Sequence, residues 1–308
     1  MDHGRITLPA FNPTLRTLMK PISTRRFLQI AGLSAATFLL AACSKKEPPP
    51  PPAPAPVASA PAPAPAKVYV VGTDAAYAPF ESQNEKGEIV GFDIEVVQAI
   101  AAKAGIQVKF VNTPWEGIFN ALAQGDRDMI ASSVTITPER QLTMDFSDPY
   151  FDARQLIAVK ESSKVAKFAD LKKLKVGVQT GTTGDEAITK LQGKTSTNIK
   201  RFESTPLALK ELEAGGVDAV VADNGVVIHH VANNPGSKFK TVADKEFAPE
   251  HYGIALKKGN TELQAKLNKA LAEIKADGSY DKIYMQYFGA PPVKVDAAAS
   301  APAAAASK

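Results

Sequence analysis

The chain runs to 308 residues, 44% of them hydrophobic and 22% charged, which is more than one average domain requires. Its formal net charge is +4, but residues 1–43 carry five basic groups (Arg5, Arg16, Lys20, Arg25, Arg26) against one acid, Asp2. The remainder holds as many acids as bases, which argues against a nucleic-acid partner held by net charge.

The N-terminus reads as an address. Arg25-Arg26 precedes an apolar run from Phe27 to Leu40, then Leu40-Ala41-Ala42-Cys43. A basic region, a short apolar core and small residues mark a secretory signal, and the core is too short to span a bilayer. Thr24-Arg-Arg-Phe-Leu-Gln29 has part of a twin-arginine signal but lacks the residue usual between the pair and Phe-Leu. The Leu-Ala-Ala-Cys ending resembles the bacterial lipobox, whose cysteine is lipidated; Cys43 is also the single cysteine, so no intrachain disulfide is available. A reactive thiol or a dimer link is the other reading of an unpaired exported cysteine.

Residues 44–66 are expected to be a Pro/Ala linker, whose Pro/Ala run over 48–66 is expected to be extended and without internal hydrogen bonds, reaching on the order of 60 Å at about 3.1 Å per residue. A tether is expected there, with a Pro-rich docking motif as the alternative. The Ala-rich tail, residues 291–308, is expected to be disordered. That leaves residues 67–290 as the globular part, enough for two modest lobes.

Within it, Lys67–Thr73 reads as a strand, and the turn at Asn84-Glu-Lys-Gly87 pairs Phe80–Ser82 with Glu88–Gly91 in a hairpin. Asp93 is placed to cap a helix with Ile94, Val97, Ile100, Ala101 and Ala104 on one face, ending at Gly105. Strand and helix then alternate: Gln107–Val111, Trp115–Gln124, Asp128–Ser132, Lys175–Val178, Asp185–Leu191, Ile199–Phe202, Leu207–Ala214 and Asp218–Ala222. Helices over Thr261–Ala276 and Tyr280–Tyr287 close the body. Such alternation predicts an α/β fold with largely parallel sheets.

The chain also echoes itself. Leu122, Gly125 and Asp128 line up with Leu212, Gly215 and Asp218, each trio followed by an apolar strand. Two similar lobes are implied, with Ser133 and Asp223 at equivalent strand ends. Ligands of open parallel sheets bind outside the carboxyl ends of the strands, so two facing lobes make a cleft.

Ala131-Ser-Ser-Val-Thr-Ile-Thr-Pro-Glu-Arg140 runs from a strand end into a short helix. Thr137, Pro138 and Glu139 suit a helix N-terminus. Arg140 offers a planar fork for a carboxylate, with Ser132, Ser133 and Thr135 lining the approach. The same residues also suit an ordinary capped helix with a surface arginine. Gln179-Thr-Gly-Thr-Thr-Gly184 can aim backbone N–H groups at an anion, or be a plain strand-to-helix turn; it lacks the Lys-Ser/Thr of a phosphate loop. Asp223 faces a cation or caps Asn224–Val231. Tyr77 and Trp115 enclose an apolar stem or join the core, to which Phe80 is assigned.

No catalytic, metal or cofactor constellation is expected. No cysteine nucleophile or G-x-S-x-G elbow exists, and the adjacent His229 and His230 do not share a helix face.

With these residues collected, Lys67 to about Gly289 resembles a family 3 extracellular solute-binding protein, the amino-acid receptor of an ABC-type importer. Gly72-Thr-Asp-Ala-Ala-Tyr-Ala-Pro-Phe-Glu81, Gly91-Phe-Asp-Ile-Glu95, Ser132-Ser-Val-Thr-Ile-Thr-Pro-Glu-Arg140 and Asp145-Phe-Ser-Asp-Pro-Tyr150 carry the resemblance, in order. It implies the two-lobed type II periplasmic-binding-protein fold, each lobe a mostly parallel sheet flanked by helices. Lobe 1 is expected over 67–157 and 252–290 and lobe 2 over 158–251, with crossovers near Arg154–Lys160 and His251–Leu256. By the same resemblance Arg140, with Ser133 or Thr135 and the turn at Thr182 and Thr183, binds the ligand carboxylate. Asp223 binds the ammonium with help from Ser132 and Ser133; Tyr77 and Trp115 flank the side chain and Asp74 reaches its polar end. A basic or polar amino acid is implied. Glutamine receptors of this kind often carry a lysine where Gln179 stands and a histidine where Ala222 stands, which weakens glutamine. The implied protein is a periplasmic, membrane-anchored, monomeric lipoprotein serving importer membrane subunits. The rival is a cyclohexadienyl dehydratase-like enzyme on the same fold, for which no general acid is identifiable in the sequence.

Overall fold

The computed structural model describes residues 67–290 and Pro292. The leader with Cys43, the segment 44–66 and all of the expected tail but Pro292 lie outside the described residues.

The first lobe opens with β1 (Val68–Thr73), then β2 (Ala76–Tyr77), β3 (Glu81–Gln83) and β4 (Ile89–Val90), which form a small antiparallel sheet. The β3–β4 turn is built by Asn84, whose side-chain oxygen accepts from the N–H groups of Lys86 and Glu88. Next come α1 (Phe92–Ala104), β5 (Gln107–Asn112), α2 (Trp115–Gln124), β6 (Met129–Ile130), α3 (Pro138–Thr143) and β7 (Met144–Phe146).

The cap of α1 differs from expectation. Gly91, not Asp93, is the N-cap residue; its φ is 140°, and a Cβ there would sit 2.1 Å from the Phe80 carbonyl oxygen. Only glycine fits so close an approach in that conformation. Asp93 turns inward in the first turn, where tertiary donors take its carboxylate.

A strand β8 (Phe151–Ala153) leads to β9 (Gln155–Lys160), β10 (Val176–Gln179), α4 (Thr183–Gln192), β11 (Ile199–Phe202), α5 (Thr205–Ala214), β12 (Ala219–Asp223), α6 (Asn224–Asn233) and β13 (Phe239–Val242). The chain returns through β14 (Glu250–Tyr252) to β15 (Ala255–Lys257), α7 (Thr261–Ala276) and α8 (Ser279–Phe288).

Two five-stranded sheets result, ordered β5-β1-β6-β15-β7 and β11-β10-β12-β9-β13. In each, three parallel strands form one side and two antiparallel strands complete it. The chain passes between them as β8 and β14, which pair antiparallel from Phe151–Tyr252 to Ala153–Glu250. Arg154–Lys160, expected as crossover, is therefore mostly β9, a full strand of the second sheet. The joining ladder lies a few residues earlier.

The internal echo is structural. α2 and α5 end at Gly125 and Gly215, left-handed with φ 89° and 84°. Asp128 then accepts from the Val70 N–H, and Asp218 from the Lys175 N–H, each at 2.8 Å. Each aspartate thereby ties its strand to a parallel neighbour, β6 to β1 and β12 to β10.

Burial follows from the sequence pattern. In the second sheet Ile157, Val159 and Val221 face one core, and Leu156, Ala158, Val220 and Ala222 the other. A strand covered on both faces is apolar at every position, and Asp223 is where that run ends on β12. The first lobe is centred on Phe80, fully buried, with ring contacts to Phe92, Phe151, Tyr252 and Phe288. Burial of such a side chain stabilises by about 1.5–3 kcal/mol relative to exposure.

Candidate functional site

The strand ends of the two lobes line a common cavity. Its lining gathers all ten residues singled out in the sequence: Asp74, Tyr77, Trp115, Ser132, Ser133, Thr135 and Arg140 from the first lobe, and Thr182, Thr183 and Asp223 from the second. Glu81 and Gln179 join them.

Arg140 is positioned by the start of α3. Thr137 caps that helix, accepting from the Arg140 N–H at 3.1 Å, and Pro138 occupies the first turn. The guanidinium donates to the Thr135 carbonyl at 2.9 Å and to the Gly181 carbonyl of the other lobe at 3.4 Å. It lies 5.5 Å from the Trp115 ring centre and 5.3 Å from that of Phe119, within cation–π range. Burial lowers its pKa, opposed by the charges of Glu186, Asp223 and Glu250. It makes no ion pair among the described residues. A desolvated cation without a carboxylate partner is a receptor for one.

Asp223 stands at the carboxyl end of β12. It occupies the cap position of α6 but makes no side-chain cap bond. Its Oδ2 instead accepts from the hydroxyls of Tyr77 (2.8 Å) and Tyr252 (2.6 Å), while Gln155 Nε2 donates to Oδ1. Burial pushes its pKa up to about 6, with Glu250 adding to the rise and these three donors opposing it.

Asp74 faces Gln179 across the lobes, Gln179 Nε2 donating to Asp74 Oδ2 at 3.2 Å. The amide is held in turn: Thr205 donates to its oxygen at 3.0 Å, and its nitrogen also donates to the Glu203 carbonyl at 3.1 Å. Burial raises the Asp74 pKa, and the donors on it oppose the rise.

The hydroxyls are less free than expected. Ser132 and Ser133 donate to Glu81, and Thr135 and Thr183 both donate to Glu250 Oε2, at 2.8 and 2.9 Å. Thr182 caps α4, accepting from the Asp185 N–H, and donates to the Gln179 carbonyl. That helix starts at Thr183 rather than near Asp185. Trp115 is 9% exposed, packed edge-on against Phe119, and lines the cavity as well, so core and cavity roles coincide in it.

Glu81, Asp93, Gln155, Glu250 and Tyr252 are partners the sequence reading did not assign to the site. Glu81 and Asp93 sit inside quoted motifs, which was the one local signal for them. Among the described residues no group of three or more His, Cys, Asp or Glu side chains is placed to hold a metal ion.

Residues 69–290 match the bacterial extracellular solute-binding proteins, family 3. A probable histidine-binding protein of Neisseria gonorrhoeae is 46% identical over 223 residues, 72% of this chain and 83% of that one. ABC transporter arginine-binding protein 1 of Escherichia coli is 36% identical over 220 residues, 70% of this chain and 89% of that one. Among solved structures, the arginine-, lysine-, histidine-binding protein ArtJ from Geobacillus stearothermophilus superposes with a TM-score of 0.71 at 46% identity, covering 74% of this chain and 97% of that one. The chain belongs to the bacterial extracellular solute-binding proteins, family 3, and its two-lobed fold is that of the type II periplasmic binding proteins.

Proposed function

We propose that this protein is the receptor of an ABC-type importer and binds a basic or polar L-amino acid between its lobes, without turning it over. The ligand carboxylate lies on Arg140, with Thr135 and the turn at Thr182 and Thr183 beside it. The ammonium lies on Asp223, near Ser132 and Ser133. Tyr77 and Trp115 flank the side chain, and its tip meets Asp74 and Gln179.

One observation carries the reading: a half-buried cation, Arg140, without an ion-pair partner among the described residues, and a buried carboxylate, Asp223, come from opposite lobes to line a single cavity. That charge pattern matches an α-amino acid. Asp74 favours a tip that donates, because a half-buried carboxylate is held in its charged form by donors. The names of the relatives, histidine-binding and arginine-binding, point to the same chemistry.

The remaining parts of the proposal concern delivery. Cys43 anchors an exported monomer to the membrane through lipid, and residues 44–66 space it from the surface. Lobe 1 comprises 67–153 and 252–290 and lobe 2, which includes β9, comprises 154–251, closing on the ligand about the strands that join them.

A crystal structure grown with L-arginine tests the binding mode. The expected density places the carboxylate on Arg140 and the guanidinium on Asp74. Ligand in the reverse orientation, or outside this cavity, overturns the assignment.

A further inference from the structure

Beside the cavity two carboxyl groups are buried together. Glu81, at the start of β3, and Asp93, in the first turn of α1, are both 0% exposed, and Ser133 bonds to both of them. Ser132 Oγ donates to Glu81 Oε1 at 3.1 Å and Ser133 Oγ to Oε2 at 3.3 Å. The Ser133 N–H and the Tyr150 hydroxyl donate to Asp93 Oδ2 at 2.7 and 2.6 Å. Asp93 Oδ1, equally buried, receives none of these donors. That buried oxygen lacks a partner, and a proton carried by the adjacent Glu81 carboxyl would supply one.

The surroundings keep the proton in place. The titratable groups facing the pair are Asp74 after β1, Tyr77 on β2, Tyr150 before β8, Tyr252 on β14 and Tyr280 on α8. None is a cation. Like charges in so dry a place cannot both ionise. Burial, and then the neighbouring Asp93, hold Glu81 well above the usual carboxyl range.

Ser133 shows how tightly the arrangement is imposed. Its φ is +50°, a left-handed conformation that non-glycine residues seldom adopt. In it the residue binds the pair twice, its N–H reaching Asp93 and its hydroxyl Glu81.

We propose that Glu81 and Asp93 share one proton at neutral pH and set the polarity of the Ser132 and Ser133 hydroxyls. Both hydroxyls then donate inward and present only lone pairs to the cavity. An ammonium, which has donors and no acceptor, is received there; a keto or second carboxylate oxygen is not. Glu81 and Asp93 are positioning residues, acting through the serines, and this selectivity for the α-ammonium rests on the receptor reading above.

Infrared difference spectroscopy on the empty wild-type protein tests the proton without any ligand. At pH 8, where Asp223 is ionised, a protonated-carboxyl C=O band is expected; it vanishes in Glu81→Gln and persists in Asp74→Asn. Absence of the band from the wild type overturns the proposal. Calorimetry with L-histidine and with its α-keto analogue reads the consequence. Glu81→Ala weakens histidine about tenfold or more and narrows its advantage over the keto acid; Glu81→Gln, whose amide N–H replaces the shared proton but whose nitrogen cannot accept from a serine, recovers part of both. An unchanged preference in Glu81→Ala also overturns it. Failure of the wild type to bind any amino acid sinks the receptor reading instead, whatever the infrared result.

Discussion

Tyr77 and Asp223 stand 146 residues apart in sequence and on different lobes, yet the Tyr77 hydroxyl donates to Asp223 Oδ2 at 2.8 Å. With Tyr252 on the same oxygen and Gln155 on the other, three donors occupy a carboxylate with about four lone-pair sites. One direction is left for an incoming ammonium. The group proposed to receive the ligand's positive charge is thus already oriented by the protein.

The clamp is tested by truncation. Arg140→Ala and Asp223→Asn should each weaken L-arginine binding by about 2–5 kcal/mol, or roughly 30- to several-thousand-fold, because each leaves a ligand charge unpaired in a desolvated cavity. Asparagine is the better probe at Asp223, since alanine strands the three donors on it. Full affinity in both variants, measured calorimetrically, places the site elsewhere.

Binding should depend on pH through Asp223. Its pKa is raised from the ordinary 3.8 to about 6 in the empty protein, and Asp93 shifts the same way. An ammonium selects the ionised carboxylate, so affinity for L-arginine should be about tenfold higher at pH 7.5 than at pH 5. The empty protein behaves oppositely. Between 3.8 and about 6 the native state keeps protons that the unfolded chain releases, so stability falls as pH rises across that window, by roughly 3 kcal/mol for two units at one group. The carboxyls with lowered pKa, Asp145, Asp244, Asp277 and Glu262, lose their contribution only at lower pH. Melting scans at pH 5 and 7.5, with and without arginine, show both signs; a flat profile contradicts the account.

Specificity should follow Asp74. Asp74→Asn removes the charge but keeps a polar tip beside Gln179, so cationic ligands weaken most and the gap to leucine narrows. An unchanged arginine-to-leucine ratio shows that the side-chain tip lies elsewhere.

Much of this was legible in the sequence. The run Ala219–Ala222 reads as a fully buried strand, and the polar residue ending it, Asp223, is thereby placed at the strand's carboxyl end. Glycine stops and the repeated aspartate exposed the two lobes because each is a local rule applied twice. Asp93 was misread for the same reason: locally it is a helix cap, and only the Ser133 N–H and the Tyr150 hydroxyl, distant in sequence, draw it inward. Glu250 and Gln155 had no local signal at all. Their roles come from β8 and β14 being brought together at nearly 100 residues' separation, for which three-residue strands carry no periodicity.

The anchor makes a separate prediction. Cys43 should incorporate labelled palmitate when the protein is expressed in its own host, and Cys43→Ala should leave it unanchored or unprocessed. Wild-type protein without label removes the lipoprotein reading and leaves the cavity's chemistry untouched.

The most direct measurement is a calorimetric titration of the purified protein with each of the twenty L-amino acids at pH 7.5. The account predicts saturable one-site binding in which arginine, lysine, histidine or glutamine exceeds leucine and glutamate by at least about tenfold, a gap of about 1.4 kcal/mol. Tightest binding by leucine or glutamate contradicts the role given to Asp74. Saturable binding by none of the twenty contradicts the account as a whole.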